Sequence, residues 1–183
     1  MILFINACAR KNSRTKRLAD YLLSKMNEPV QEVRLSEIVF PVTDDDFLAL
    51  RNRLTANGDF SNQIFDLAKQ FADADRIIIA APFWDLSFPA SLKQYFEQIN
   101  VLGITFVYTQ DGQPKGLCKA QSLHYVTTVG GNFFPEEYGF GYIKALAENF
   151  YGITNVKLIK AIGLDIYGAD VERIIQAAMD EIG

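Results

Sequence analysis

The sequence predicts a three-layer α/β domain built on a doubly wound parallel sheet. Short apolar strands alternate with amphipathic helices along the 183 residues, giving five strands in all. Arg76–Ala81 is the clearest strand, because its unbroken β-branched run is typical of a strand buried on both faces. Right-handed crossovers place helices on both sides of such a sheet. No repeat or linker interrupts the pattern, so we expect a single domain over residues 1–183.

The first half of the chain follows this pattern element by element. The strand Val30–Leu35 alternates polar and apolar residues, as an edge strand does. Carboxylates at Thr43–Asp46 favour a helix N-terminus, and Ser61 is a candidate cap for the helix after it. In chain order, the predicted elements are strand Ile2–Asn6, helix Thr15–Met26, strand Val30–Leu35, a helix start at Thr43–Asp46, helix Phe60–Ala74 and strand Arg76–Ala81.

The second half contains two more strands and a small insertion. Pro89 suits the first turn of a helix. Apolar residues recur after it at helical spacing, namely Leu92, Tyr95, Phe96 and Ile99. Gly103–Tyr108 and the turn Asp111-Gly112 predict a hairpin insertion at about 103–117. The remaining predicted elements are strand Ser122–Val129, helix Tyr138–Tyr151, strand Val156–Ile162 and helix Asp170–Ile182.

Composition narrows the class of protein and its location. The net charge of −4 argues against a general nucleic-acid binder. No apolar run approaches the roughly 18 residues of a membrane span, so no membrane partner is expected. The N-terminus has the pattern of a strand rather than a signal peptide. Two cysteines, Cys8 and Cys118, form no disulfide framework and suit a reducing compartment, so we expect a cytoplasmic protein.

The loop after the first strand is rich in positive charge. Five of the eight residues from Arg10 to Arg17 are basic, and Ser13 and Thr15 add hydroxyl groups. The free N–H groups of a helix start lie in the same place. Together these features favour a bound anion, most simply a phosphate group. The alternative is a capped helix with a solvated basic face.

A second interpretation is that this loop belongs to a phosphatase. Cys8 and the Arg14-Thr15 pair have the Cys-x5-Arg-Ser/Thr spacing of low-molecular-weight phosphatases and arsenate reductases. In those enzymes a thiolate of low pKa is the nucleophile and the arginine binds the phosphoryl group. They also use an acid within an Asp-Pro pair, and this chain contains no Asp-Pro.

Two further loops follow later strands at the same edge of the predicted sheet. Pro82–Pro89 carries three aromatic rings, Phe83, Trp84 and Phe88, which form either a plug for the core or a platform for a flat aromatic ligand. Thr128–Gly131 ends in paired glycines, which allow the backbone to approach a planar ligand closely.

These three loops together resemble the flavodoxin-like family of FMN-dependent NADH-azoreductases and NAD(P)H:quinone oxidoreductases. The matching segments are Cys8-Ala9-Arg10 with Ser13-Arg14-Thr15, then Pro82-Phe83-Trp84-Asp85-Leu86-Ser87-Phe88-Pro89, then Thr128-Val129-Gly130-Gly131. Gly103–Tyr108 is similar to the family's Gly-Val-Thr-Phe-x-Tyr. The resemblance covers nearly the whole chain in order. It implies a flavodoxin-like fold with strand order 2-1-3-4-5.

The resemblance also implies a cofactor, a reaction and a set of residues. FMN would pass two electrons, by hydride transfer from NADH or NADPH, to a flat quinone or azo acceptor, so no protein nucleophile or metal site is expected. The family is typically a homodimer. Phe106 and Phe134 would stack on the acceptor. The implied cofactor-binding residues are Arg10, Ser13, Arg14, Thr15, Pro82, Phe83, Trp84, Asp85, Leu86, Thr128, Val129, Gly130 and Gly131.

Two departures from the family pattern carry expectations of their own. Cys8 stands where serine is usual, and a thiol is the weaker hydrogen-bond partner. Asp85 stands where asparagine is usual, and a carboxylate close to the reduced ring should lower the flavin potential. The only histidine, His124, falls within a strand and is interpreted as structural. A flavodoxin-type electron carrier or a non-catalytic flavin sensor remains an alternative.

Overall fold

The computed structural model describes residues 1–182, and its centre is a five-stranded parallel sheet. The order of the strands is β2-β1-β3-β6-β7, which confirms the predicted flavodoxin-like topology. β4 and β5 form a separate antiparallel hairpin, as predicted. The strands are β1 Ile2–Asn6, β2 Val30–Arg34, β3 Arg76–Ala80, β4 Phe106–Tyr108, β5 Pro114–Gly116, β6 Ser122–Val129 and β7 Val156–Ile162.

Helices cover both faces of the sheet and divide the core in two. One apolar cluster lies under α1 and α6 and includes Leu18 and Ile175, while the other lies under α3, α4 and α5 and includes Phe71, Tyr95 and Ile143. This arrangement is the predicted three-layer architecture. The helices are α1 Arg14–Ser24, α2 Asp45–Ala56, α3 Asp66–Asp73, α4 Ala90–Ile99, α5 Phe140–Leu146 and α6 Val171–Asp180.

The predicted helix Phe60–Ala74 is wrong in its first third. A single 3-10 turn, Gln63–Phe65, precedes α3. Ser61 does not cap it, because the Ser61 hydroxyl donates to the carboxylate of Asp59 at 2.6 Å. Asn62 is the cap, since its side-chain oxygen accepts from the N–H of Ile64.

Other boundaries differ from the predictions by a few residues. Pro89 occupies the N-cap position of α4, without a side-chain hydrogen bond, rather than lying in the first turn of the helix. The predicted helix Tyr138–Tyr151 starts two residues later and ends in a π-helical turn, Ala147–Tyr151. Asp44 and Asp170 cap α2 and α6, accepting from the N–H groups of Phe47 and Arg173. α1 begins one residue earlier than predicted and ends two residues earlier; α6 ends at Asp180.

Parallel pairing brings four loops to one edge of the sheet. Asn6 of β1 pairs with Ala80 of β3, and Ala80 pairs with Val126 of β6, so these strands end at neighbouring places. β7 joins the same edge through the pairing of Val129 with Ile162. Carboxyl ends of parallel strands are where open α/β sheets bind ligands. Within residues 1–182, no helix is both long and apolar enough to cross a membrane.

Candidate functional site

An open cavity of about 250 Å³ lies at this edge, between the loops that follow β1, β3, β6 and β7. Ten of the thirteen residues predicted to bind the cofactor line it. The exceptions are Asp85, Leu86 and Gly131. The lining residues are Ala9, Arg10, Asn12, Ser13, Arg14, Thr15, Pro82, Phe83, Trp84, Thr128, Val129, Gly130, Leu164 and Asp165.

The loop after β1 presents the start of α1 to the cavity. Ser13 caps the helix, because its Oγ accepts from the N–H of Lys16 at 3.2 Å. The N–H groups of Arg14 and Thr15 have no acceptor among residues 1–182, as expected in a first helical turn. The Thr15 hydroxyl is buried and lies 2.6 Å from that of Thr128. This hydrogen bond joins the first loop directly to β6.

Most of the positive charge predicted in this loop is already neutralised. Three of the five basic side chains form ion pairs, namely Lys16 with Asp20 at 2.7 Å, Arg17 with Glu172 at 2.6 Å and Arg14 with Asp165 at 2.7 Å. Arg10 and Lys11 have no carboxylate partner in the described part of the chain. Of these two, only Arg10 lines the cavity. Arg10 is therefore the unpaired cation of the site.

The loop after β3 contains a tight two-residue turn. The N–H of Trp84 donates to the carbonyl of Ser87 at 3.1 Å, and the N–H of Ser87 donates back at 2.8 Å. Asp85 and Leu86 occupy the centre of the turn with φ of 49° and 68°. Left-handed backbone is uncommon outside glycine, particularly for leucine, and such strain clusters at functional sites. The N–H of Phe83 donates to the carbonyl of Thr128 at 3.1 Å and ties this loop to β6.

The loop after β6 is closely packed against the loop after β7. Asp165 donates its N–H to the carbonyl of Gly130 at 2.8 Å. A Cβ at Gly130 would lie 2.4 Å from Oδ2 of Asp165. Gly130 therefore leaves room for a carboxylate of the protein, whereas the sequence suggested room for a planar ligand.

Several aromatic residues predicted near the site occupy other places. Phe106 is buried in the hairpin against Phe150, with ring centroids 4.9 Å apart, and does not line the cavity. Phe88 packs against Phe96 and belongs to the core. Phe134 does not line the cavity either. Its ring packs edge-on against the ring of Phe83, with the centroids 5.0 Å apart. Thus the expected stacking position of Phe106 is not observed within one chain.

The environment of Cys8 argues against phosphatase chemistry. Its side chain is buried, its Sγ lies 3.7 Å from the carbonyl oxygen of Ala80, and it does not line the cavity. Burial raises the pKa of the Cys8 thiol above its ordinary value, despite the opposing effect of the Ser13 hydroxyl. A phosphatase of this type needs an accessible thiolate of low pKa.

Sequence reasoning missed four lining residues. Ala9 and Asn12 lie in the first loop, beside residues that were predicted. Leu164 and Asp165 follow β7, whose carboxyl end lies at the same edge as those of β1, β3 and β6. Their position after a parallel strand could have identified these two residues, because every loop at this edge of the sheet is a candidate for the site.

The chain matches the family described as flavodoxin-like fold over residues 1–183 and belongs to it. An FMN-dependent NADH:quinone oxidoreductase of Clostridium beijerinckii is 34% identical over 191 residues, covering 98% of this chain and 94% of that protein. One from Lachnoclostridium phytofermentans is 35% identical, covering 93% and 89%. An azoreductase structure from Bacillus anthracis superposes with a TM-score of 0.83 at 24% identity, covering 99% and 95%. The family indicated by the loop motifs is thereby confirmed.

Proposed function

We propose that this protein is an FMN-dependent oxidoreductase that carries two electrons from NADH to quinone or azo acceptors. The observation that carries the proposal is the convergence of ten predicted cofactor-binding residues on one cavity. Relatives about 34% identical over nearly the whole chain are FMN-dependent NADH:quinone oxidoreductases. Fold, site and relatives agree.

The first loop fits the phosphate end of FMN. The free N–H groups of Arg14 and Thr15, together with the Ser13 hydroxyl, surround the start of α1. A helix start with unpaired donors favours an anion. Arg10 adds a positive charge that no carboxylate of the described chain neutralises. These residues would hold the phosphate without a metal ion.

The second and third loops fit the ring of the cofactor. Pro82, Phe83 and Trp84 form an apolar wall, and the N–H groups of Asp85 and Leu86 are left without acceptors in the described chain by the tight turn. Thr128 and Val129, on the neighbouring strand, also line this part of the cavity. These residues would hold the ring of FMN, which would supply the two-electron redox chemistry between NADH and the acceptor. The three loops would orient the ring, whose open side stays accessible to nicotinamide and acceptor.

The finer parts of the proposal are a homodimer and a cytoplasmic location. Large apolar side chains remain exposed near the turn and the third loop, with Leu86, Phe133 and Tyr138 exposed by 45%, 72% and 60%. A second copy of the chain that covers them would also complete the open side of the cavity. Cys8 and Cys118 are free thiols, which supports a reducing compartment.

Steady-state oxidation of NADH with a quinone acceptor tests the activity. We expect turnover that depends on FMN and shows ping-pong kinetics, because nicotinamide and acceptor use the same open side of the cavity in turn. An electron carrier or sensor would bind FMN yet oxidise NADH slowly or not at all. Hydrolysis of p-nitrophenyl phosphate that is lost in Cys8→Ser would support the phosphatase instead.

A further inference from the structure

The partner of Arg14 comes from the loop that follows the last strand of the sheet. Oδ1 of Asp165 lies 2.7 Å from Nη1 of Arg14, and the carbonyl oxygen of Leu164 accepts from the same nitrogen at 3.3 Å. Both charged side chains line the cavity. The proposed reaction needs no carboxylate at this point, so the pair requires its own explanation.

The backbone that carries Asp165 is held by hydrogen bonds, while its carboxylate is exposed to solvent. The N–H groups of Leu164 and Asp165 donate to the carbonyls of Val129 and Gly130 at 3.1 and 2.8 Å. The carboxylate lies over Gly130, in the space that a Cβ would fill. Its side chain is 68% exposed and that of Arg14 is 43% exposed. Exposed ion pairs of this kind are weak and exchange readily.

A carboxylate and a phosphate bind a guanidinium group in the same way, through oxygen acceptors. We propose that Asp165 competes with the FMN phosphate for Arg14 and so limits the affinity for the cofactor. This proposal rests on the proposed function. In the free protein the carboxylate neutralises Arg14 and ties the first loop to the loop after β7. When the phosphate binds, the Asp165 side chain rotates towards solvent while its backbone keeps its hydrogen bonds.

The chain provides a matched control for this competition. Arg17 and Glu172 form a second ion pair between α1 and the segment after β7, with two hydrogen bonds of 2.8 and 2.6 Å. Both side chains are exposed, and neither lines the cavity. Glu172→Gln therefore removes the same charge and the same type of contact without freeing a residue of the site.

Binding of FMN and of riboflavin to the cofactor-free protein, followed by flavin fluorescence, tests the proposal. Riboflavin lacks the phosphate, so it reports on the ring alone. We expect Asp165→Asn to bind FMN about two- to five-fold more tightly, the range that an exposed ion pair supplies. Its affinity for riboflavin should stay unchanged, as should both affinities in Glu172→Gln. In an Arg14→Gln background, Asp165→Asn should bring no gain.

Three results would overturn the competition while leaving the cofactor assignment intact. These are weaker or unchanged FMN binding in Asp165→Asn, an equal gain for riboflavin, and an equal gain in Glu172→Gln. A wild-type protein that binds neither flavin would instead refute the proposed function, and the competition with it. The two failures are distinguished by the wild-type titration, which is measured first.

Discussion

At the scale of single residues, the site combines predicted and unpredicted chemistry. The basic loop at a helix start predicted an anion site, the family resemblance assigned Ser13, Arg14 and Thr15 to it, and all three line the cavity. The sequence did not identify Asp165, because an ion pair between residues 151 positions apart has no local pattern. The sequence also could not show that Arg14 forms an ion pair with a carboxylate while Arg10 does not. Charge partners depend on tertiary contacts.

Asp85 is the residue at which we expect this site to differ from a relative with asparagine. An exposed carboxylate in the turn disfavours added negative charge on a bound flavin. Asp85→Asn should therefore raise the two-electron potential, by about 20 mV for an interaction of about 1 kcal/mol. Asparagine also tolerates the observed φ of 49°, so the turn should persist.

Potentiometry of the FMN-loaded protein measures this change. Asp111→Asn is the control, because Asp111 lies in the turn of the β4–β5 hairpin, whereas Asp85 directly follows Trp84, which lines the cavity. It removes an equal charge and should leave the potential unchanged. An unchanged potential in Asp85→Asn would remove the electrostatic role that we assign to Asp85.

His124 should remain neutral in the folded protein at neutral pH. It is buried in β6, and burial, with smaller effects of Lys157 and Arg76, lowers its pKa below the ordinary 6.5. A lowered pKa favours folding above about 6.5, and this contribution is lost as the pH falls through the folded pKa. The single histidine signal in an NMR titration should show a midpoint below 6.5.

The unfolding free energy of wild type should fall between pH 7 and pH 5 more steeply than that of His124→Gln. An NMR midpoint above 6.5 would contradict the argument that burial and the nearby cations set the pKa of His124. If the unfolding free energy of both proteins fell equally with pH, other groups would govern the loss of stability at low pH.

At the scale of elements, periodicity predicted most of the fold, and local hydrogen bonds decided the rest. β6 and β7 were predicted to the residue because each is preceded by a polar residue and followed by a glycine. The start of α3 was missed because Asn62, rather than Ser61, caps the preceding turn. The π-helical turn Ala147–Tyr151 was missed because it arises where the hairpin packs against α5 and its extension.

The β4–β5 hairpin packs against the π-helical turn, and this packing depends on a glycine. A Cβ at Gly116 would lie 2.1 Å from backbone atoms of Tyr151 and Gly152, which cannot move independently of the helix. Gly116→Ala should lower the unfolding free energy by about 1 to 3 kcal/mol, as overpacking does. Denaturant unfolding followed by circular dichroism measures it.

Gly112 provides the comparison within the same hairpin. It has a φ of 78°, and no atom lies within 4 Å of an added Cβ. Gly112→Ala should therefore lower the unfolding free energy only through the strain of an alanine in left-handed backbone, by about 1 kcal/mol. A loss in Gly116→Ala no larger than that in Gly112→Ala would contradict the packing argument.

At the scale of the whole molecule, parallel pairing explains why loops distant in sequence meet. Residues 9 to 15, 82 to 84, 128 to 130 and 164 to 165 surround one cavity because their strands end at one edge. The sequence predicted three of these four segments. The stacking role expected of Phe106 stays a prediction, because within one chain its hairpin lies against the π-helical turn rather than beside the cavity.

The proposed dimer gives a prediction of mass. Sedimentation equilibrium at micromolar concentration should give about 41 kDa, twice the 20.6 kDa of one chain. The exposed Leu86, Phe133 and Tyr138 would then become less accessible to solvent. A mass near 21 kDa at all concentrations would contradict the dimer and leave the open side of the cavity uncovered.

The assignment of the cavity to FMN is tested by measuring how tightly the protein binds the cofactor. Titration of the cofactor-free protein, monitored by flavin fluorescence, should give one FMN per chain and tighter binding than riboflavin, because the first loop is assigned to the phosphate. Arg10→Gln, which removes the unpaired cation of the cavity, should reduce that preference. A protein that binds no flavin, or binds riboflavin as tightly as FMN, would contradict the assignment of the cavity.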